Sequence, residues 1–226
     1  MKKSIALLPI FIFCLAKAEA QTSIYNGVSG IPVEGKKSKD NPIGSKFLSE
    51  NWTTGDVLQE DDKYFNGMNL KYNLYDDQLI FKNQKDEILA FRFPIKEFHL
   101  YEDLNDSTKA VRVYKNGFPD VDKFNKNSYY QVLTDGKAVL LKKFFLNFVE
   151  GIPYGRSDVQ KTLIPNQSYY LLVNGKMIKV KKQKESFLSA LPNQKTALDL
   201  YIKNEKIRFK SDEDLIKILN YYNTLN

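Results

Sequence analysis

Two dipeptides, Asn174-Gly175 and Asp135-Gly136, constrain the fold of this 226-residue chain more than any other feature. Each tolerates positive φ at both turn positions, which is the demand of a two-residue type I′ hairpin, and each is flanked by residues alternating between apolar and polar. A turn at Asn174-Gly175 puts Tyr169, Leu171, Ile178 and Val180 on one face of a two-stranded ribbon. The same geometry around Asp135-Gly136 brings Tyr130, Val132, Val139 and Leu141 together. A third pair flanks Asp76-Asp77. With those two residues as the turn, Leu74 faces Leu79 and Tyr72 faces Phe81. Leu70, Tyr72, Leu74, Leu79 and Phe81 then form an apolar face. Lys71, Asn73, Gln78 and Lys82 form a wet one, with Ile80 the exception.

Further strands are expected at 55–60, 87–93, 97–101 and 110–114. Short strands at this spacing predict an antiparallel meander over residues 45–183, built as a sandwich or a half-open barrel. The two late hairpins also resemble each other. SYYQVLTDGKAVLLKK from Ser128 and SYYLLVNGKMIKVKK from Ser168 lie about 40 residues apart, within the range of blade or solenoid repeats. Two copies are too few for such an array, and convergence on one turn chemistry explains the likeness.

After Lys184 the pattern becomes helical. Phe187, Leu188 and Leu191 make a short apolar turn that Pro192 stops. Asn193 is a candidate cap for a second helix carrying Leu198, Tyr201 and Ile202. Ser211 caps a third, with Asp212, Glu213 and Asp214 in the first turn, where negative charge suits the helix dipole. Leu215, Ile218, Leu219 and Tyr222 follow at i, i+3, i+4 and i+7, a single stripe expected to dock on the sheet. The fold class is therefore α+β, with a helical segment over 184–226.

The first twenty residues are not part of this fold. Lys2 and Lys3, an apolar stretch from Ile5 to Ala16, and Ala18-Glu19-Ala20 compose a secretory signal peptide cut between Ala20 and Gln21. The apolar stretch is shorter than the roughly 20 residues that span a bilayer. A lipoprotein cut before Cys14 would need a small residue at Phe13. Export thus removes the single cysteine, and with it disulfides, thiol nucleophiles and cysteine metal sites. It also lowers the formal charge from +7 to +5. No later apolar run reaches spanning length. Residues 21–44, rich in Gly, Ser, Pro, Lys and Asn, read as a flexible lead-in, with regular structure beginning near Phe47 to Trp52.

Catalytic signatures are absent: there is no Walker loop, GxGxxG, HExxH or nucleophile elbow. The single histidine, His99, lies in an expected strand and reads as structural, and one histidine makes a zinc site implausible. Calcium needs only oxygen ligands. However, Asp103-Asn105-Ser107 lacks the glycine and the glutamate of a calcium loop, and Asp120 and Asp122 read as a polar loop tip. No catalytic residue, metal or cofactor is expected. Two features suit binding instead. The run Lys179, Lys181, Lys182, Lys184 offers positive charge to an anionic partner, and Trp52 with a 13% aromatic content suits a sugar or a protein interface. Nucleic acid is not expected, because the chain is exported and its aromatics are not interleaved with these lysines.

At FLSENWTTGDVL (47–58), LKYNLYDDQLIF (70–81), YYQVLTDGKAVLLKK (129–143) and DEDLIKILNYYNTLN (212–226), the chain resembles a group of exported β-rich proteins of Gram-negative bacteria. They share a Trp-x-x-Gly-x-Val opening, a Leu-Lys/Arg-Tyr-Asn-x-Tyr strand and a Leu-x-x-Gly-Lys hairpin. The resemblance implies a location in the periplasm, at the outer-membrane surface or outside the cell, and it carries no catalytic residues. The expectation is a non-catalytic binding protein of the cell envelope, engaging a protein, lipid or glycan. Two alternatives are a carboxylate-dependent hydrolase of an envelope polysaccharide and a carrier of apolar ligands in a half-open barrel.

Overall fold

A computed structural model describes residues 27–33, 42–101, 111–152, 155 and 158–225. The signal segment with Ala20, Gln21 and Cys14, the 35–40 core of the lead-in, and Asp103, Asn105 and Ser107 lie outside the described residues. Eleven strands pair antiparallel in one sheet: β1 (Gly30–Pro32), β2 (Thr53–Gln59), β3 (Tyr64–Asn73), β4 (Gln78–Lys82), β5 (Ile88–Phe91), β6 (Ile95–Tyr101), β7 (Val111–Lys115), β8 (Tyr130–Val132), β9 (Ala138–Gly151), β10 (Gln160–Val173) and β11 (Lys176–Val180). Their spatial order is β1-β5-β4-β3-β2-β6-β7-β8-β9-β10-β11. The α+β class and the helical C-terminal segment hold, and the antiparallel strands belong to one sheet that is not closed. Strand β1 lies within the expected lead-in, so regular structure begins before Phe47.

The order forces the sheet to curl. Strands β5 and β6 are separated by four strand spacings, about 19 Å if the sheet were flat. The chain from Phe91 to Ile95 has only four Cα steps, a reach of about 15 Å. Register shifts in β2, between Gly55 and Val57 and between Leu58 and Gln59, supply the bend. The concave face closes over Val57, Met68, Leu70, Tyr72, Phe81, Phe98, Leu100, Tyr114 and Tyr129, all buried. Phe98 stacks on Tyr114 at 4.7 Å, with Tyr72 edge-on to Phe98 at 5.4 Å.

The three hairpins separate by turn chemistry. Asn174 (φ +50°) and Gly175 (φ +72°) make the expected type I′ turn, and Tyr169 pairs with Val180 and Leu171 with Ile178. The other two keep their expected faces but shift register by two residues. Tyr72 pairs with Leu79 and Leu70 with Phe81, because the turn takes in Leu74 to Asp77. There the Asn73 carboxamide accepts from the N–H groups of Tyr75 and Asp76. Val132 pairs with Leu141, not Val139, because Asp135-Gly136 belongs to a longer loop. Ile80, the exception on the outer face, is 3% exposed between Lys71 and Lys82, whose ammonium groups lie over the Trp52 ring.

Helices α1 (Lys184–Ala190), α2 (Lys195–Asn204) and α3 (Asp212–Thr224) cover one face of β9–β11, packing Phe187, Leu198, Leu215, Ile218 and Leu219 on Leu140 and Leu171. The Ser211 hydroxyl accepts from the Asp214 N–H as a cap, and the apolar stripe of α3 docks as expected. Asn193 does not cap α2. It lies in a 3₁₀ turn, Pro192–Gln194, that leads directly into the helix. The opposite face of β9 and β10 is closed by Phe118, Val121 and Phe124 packed on Tyr130, Leu141 and Tyr170. The two related hairpins thus lie side by side, with Tyr130 edge-on to Tyr170 at 5.7 Å.

Candidate functional site

At one end of the curl lies an open cavity of about 1240 Å³. Its wall is assembled from segments distant in sequence: β1, the β3–β4 turn, the β5–β6 connection, and parts of the chain around Asn116 and Tyr129. Tyr75 and Phe93 stand at the wall 43% and 47% exposed. Phe91 is held by Phe81, with ring centroids 4.5 Å apart. Polar side chains share the lining with these rings, among them Glu60, Asp76, Gln78, Arg92 and Asn127. Asn116 Nδ2 and the Tyr129 hydroxyl both donate to the Ile95 carbonyl, at 2.7 and 2.8 Å, which fixes the floor. Val33 and Pro42, both lining residues, are joined by residues 34–41, outside the described residues.

The β3–β4 turn is the most firmly held part of the wall. Asp77 (φ +51°) accepts from the Tyr72 hydroxyl through one oxygen and pairs with Lys143 Nζ at 2.6 Å through the other. Lys143 also donates to the Tyr72 hydroxyl at 3.1 Å, and its side chain is 2% exposed. Three rings surround its ammonium: Phe124, Tyr130 and Tyr72, at 5.3, 5.8 and 5.9 Å. Burial pushes the Lys143 amine below the usual lysine range, against the raising influence of Asp77, and burial together with Asp77 pushes the Tyr72 phenol well up. Tyr75 packs edge-on to Phe148 of β9 at 5.9 Å. The cavity wall is therefore tied to β9 by an ion pair and a ring contact.

The lysine run does not form one surface. Lys179 bonds Asp122 at 2.6 Å beside Tyr170, on the face closed by Phe124. Lys182 bonds Asp212 at 2.9 Å on the opposite, helical face, and Lys184 pairs with Asp199 of α2. The Lys181 backbone N–H donates to Ser186 Oγ at 2.9 Å. Three of the four lysines thus neutralise acids of their own fold. Trp52 lies over Lys71 and Lys82 on the outer face of β3 and β4 and is not itself a lining residue, although Lys71 also lies over the ring of Phe47, which is. Asp212 collects Lys142, Lys182 and the Tyr169 hydroxyl at 2.7, 2.9 and 2.6 Å. Burial raises its pKa, but these donors outweigh it and hold the carboxyl at about 2.

The other acid-rich groups are internally satisfied. His99 Nε2 lies 2.6 Å from Glu97, which also binds Lys115 at 2.9 Å. His99 pairs across the sheet with Asp56, whose carboxylate accepts from Tyr64 at 2.5 Å, from Tyr101, and from the Gly67 N–H at 2.9 Å. Burial opposes ionisation of Asp56, and these hydrogen bonds prevail, keeping its pKa low. Asp120 accepts from the Lys126 N–H at 3.1 Å, so neither it nor Asp122 offers an uncommitted carboxylate. Among the described residues no three His, Cys, Asp or Glu side chains are grouped to hold a metal ion, and no helix is long and apolar enough to cross a membrane.

Sequence reasoning missed the cavity residues, because turn and loop positions carry no periodic signal. Lys143 alone had a sign: Leu141 and Lys143 share one face of a strand, and a lysine on an apolar face requires a counter-ion. Comparison of the chain with protein-family models, curated proteins and solved structures returns no match.

Proposed function

We propose that this protein is an exported, non-catalytic binding protein of the cell envelope that takes its ligand in the cavity at the end of the curled sheet. The observation that carries this reading is the cavity itself: a concave space of about 1240 Å³, walled by exposed rings and by polar groups from separate segments. Convergence of that kind is how binding sites are built. The clamp of Asp77 on Lys143 supports it, since a rigid wall lowers the cost of binding. The lysine run supports a binding role less well, because its charges are spent on Asp122, Asp212 and Asp199. The filled concave core disfavours a carrier that would enclose an acyl chain inside the curl.

The test is a methyl NMR titration of the mature chain with an envelope extract of the source cells. Ile31, Val33, Leu79 and Ile95, which line the cavity, are expected to shift. Shifts confined to Met177, Ile178 and Val180, beside the lysine run, would move the site to the far edge of the sheet.

A further inference from the structure

We infer that the cavity recognises a sugar chain. This rests on the cavity being the binding site. Its volume exceeds the roughly 300–1,000 Å³ of ordinary small-molecule sites, and its lining combines rings with amides and charges. Tyr75 and Phe93 are partly exposed, with the ammonium groups of Lys46 and Lys63 over their rings at 5.1 and 5.7 Å, so ring surface for the apolar side of a sugar lies beside a donor for its hydroxyls, and Gln78 and Asn127 add amides.

Two other ligand classes fit less well. An acyl chain would strip water from the exposed Glu60, Asp76, Gln78 and Asn127 and return no hydrogen bond. A peptide strand would have to add to β1, but Val33 donates to Ile88 and Arg92 to Ser29, so the groups of Gly30 and Pro32 face the open edge. Pro32 has no N–H to give there. Charge gives no preference, because Asp77 is neutralised by Lys143 and the remaining carboxylates, Glu60 and Asp76, are matched by Lys46 and Arg92.

The experiment titrates the mature chain, observed through the methyl groups of Ile31 and Ile95, with four defined probes. These are chitotetraose, its de-N-acetylated form, tetragalacturonate, and dodecylphosphocholine below its micelle concentration. The three saccharides are expected to shift the cavity methyls, and dodecylphosphocholine to leave them in place. Phe93→Ala, at a well-exposed position, should weaken saccharide binding at least tenfold without moving the melting temperature. Cavity shifts with dodecylphosphocholine alone would overturn the sugar assignment and leave the cavity as the site. If no probe and no envelope extract moves these methyls, the binding reading falls as well.

Discussion

Lys143 carries a positive charge into a space that water does not reach. Its stability depends on Asp77, which is 27% exposed and lies at the cavity wall. Removing one partner of such a pair costs about 3–5 kcal/mol when the other charge stays buried. Asp77→Asn should therefore lower the unfolding free energy by about 3 kcal/mol in urea titrations, and adding Lys143→Met should restore most of the loss. A cost below about 1 kcal/mol for Asp77→Asn would show that the ammonium has another means of solvation. Asp212 acts at the opposite end of the pH scale. Its folded pKa of about 2 lies below the ordinary aspartate value of 3.8, so its ion pairs contribute fully above about pH 4 and are lost as the pH falls towards 2. The stability difference between the native chain and Asp212→Asn should be constant from about pH 5 to 7 and narrow through that acid window. A difference independent of pH down to 2 would exclude the assigned pairing.

At the scale of elements, the contrast between the two glycine hairpins explains what could be foreseen. At Asn174-Gly175 the turn is made by its own two residues, and pairing, face and register all follow from local sequence. At Asp135-Gly136 the loop is completed by Asn223, from the last turn of α3. Its carboxamide donates to the carbonyls of Asp135 and Ala138, at 2.8 and 3.0 Å, and accepts from the Ala138 N–H at 2.9 Å. A partner 85 residues away in sequence leaves no trace in the turn dipeptide, so only the faces were legible there. Gly136 is needed twice over. Its φ is +123°, and a Cβ there would lie 2.7 Å from Asn223 Nδ2. Asn223→Ala should cost about 1–3 kcal/mol through the orphaned loop groups. Gly136→Ala should also destabilise. The double variant should cost less than the sum, because the clash disappears with Asn223. Strict additivity in the unfolding cycle would contradict this arrangement.

At the scale of the molecule, the class and the helical cap were readable from alternation and caps, but the curl was not. It follows from the return of β6 to the side of β2 through three connecting residues, a topological choice that periodicity does not record. The cavity is a product of the curl. Glu60, Asp77, Phe93 and Asn127 are unremarkable where they stand in the chain and meet only when the sheet bends. The lysine run and Trp52 were conspicuous for the opposite reason. Local clustering of charge and a single tryptophan attract attention in a sequence, yet the fold disperses the lysines over two faces and seats Trp52 on the lysines of β3 and β4. The account as a whole stands on the cavity being where the ligand sits. Asn127 lines it from an exposed position and is no partner in the Asp77–Lys143 clamp, so Asn127→Trp puts bulk at the cavity wall. The decisive measurement is the binding isotherm of this variant against the native chain, with one envelope extract and with melting curves recorded for both. An unchanged melting curve with binding lost is the result the account predicts. An unchanged melting curve with binding retained would place the ligand elsewhere and contradict it.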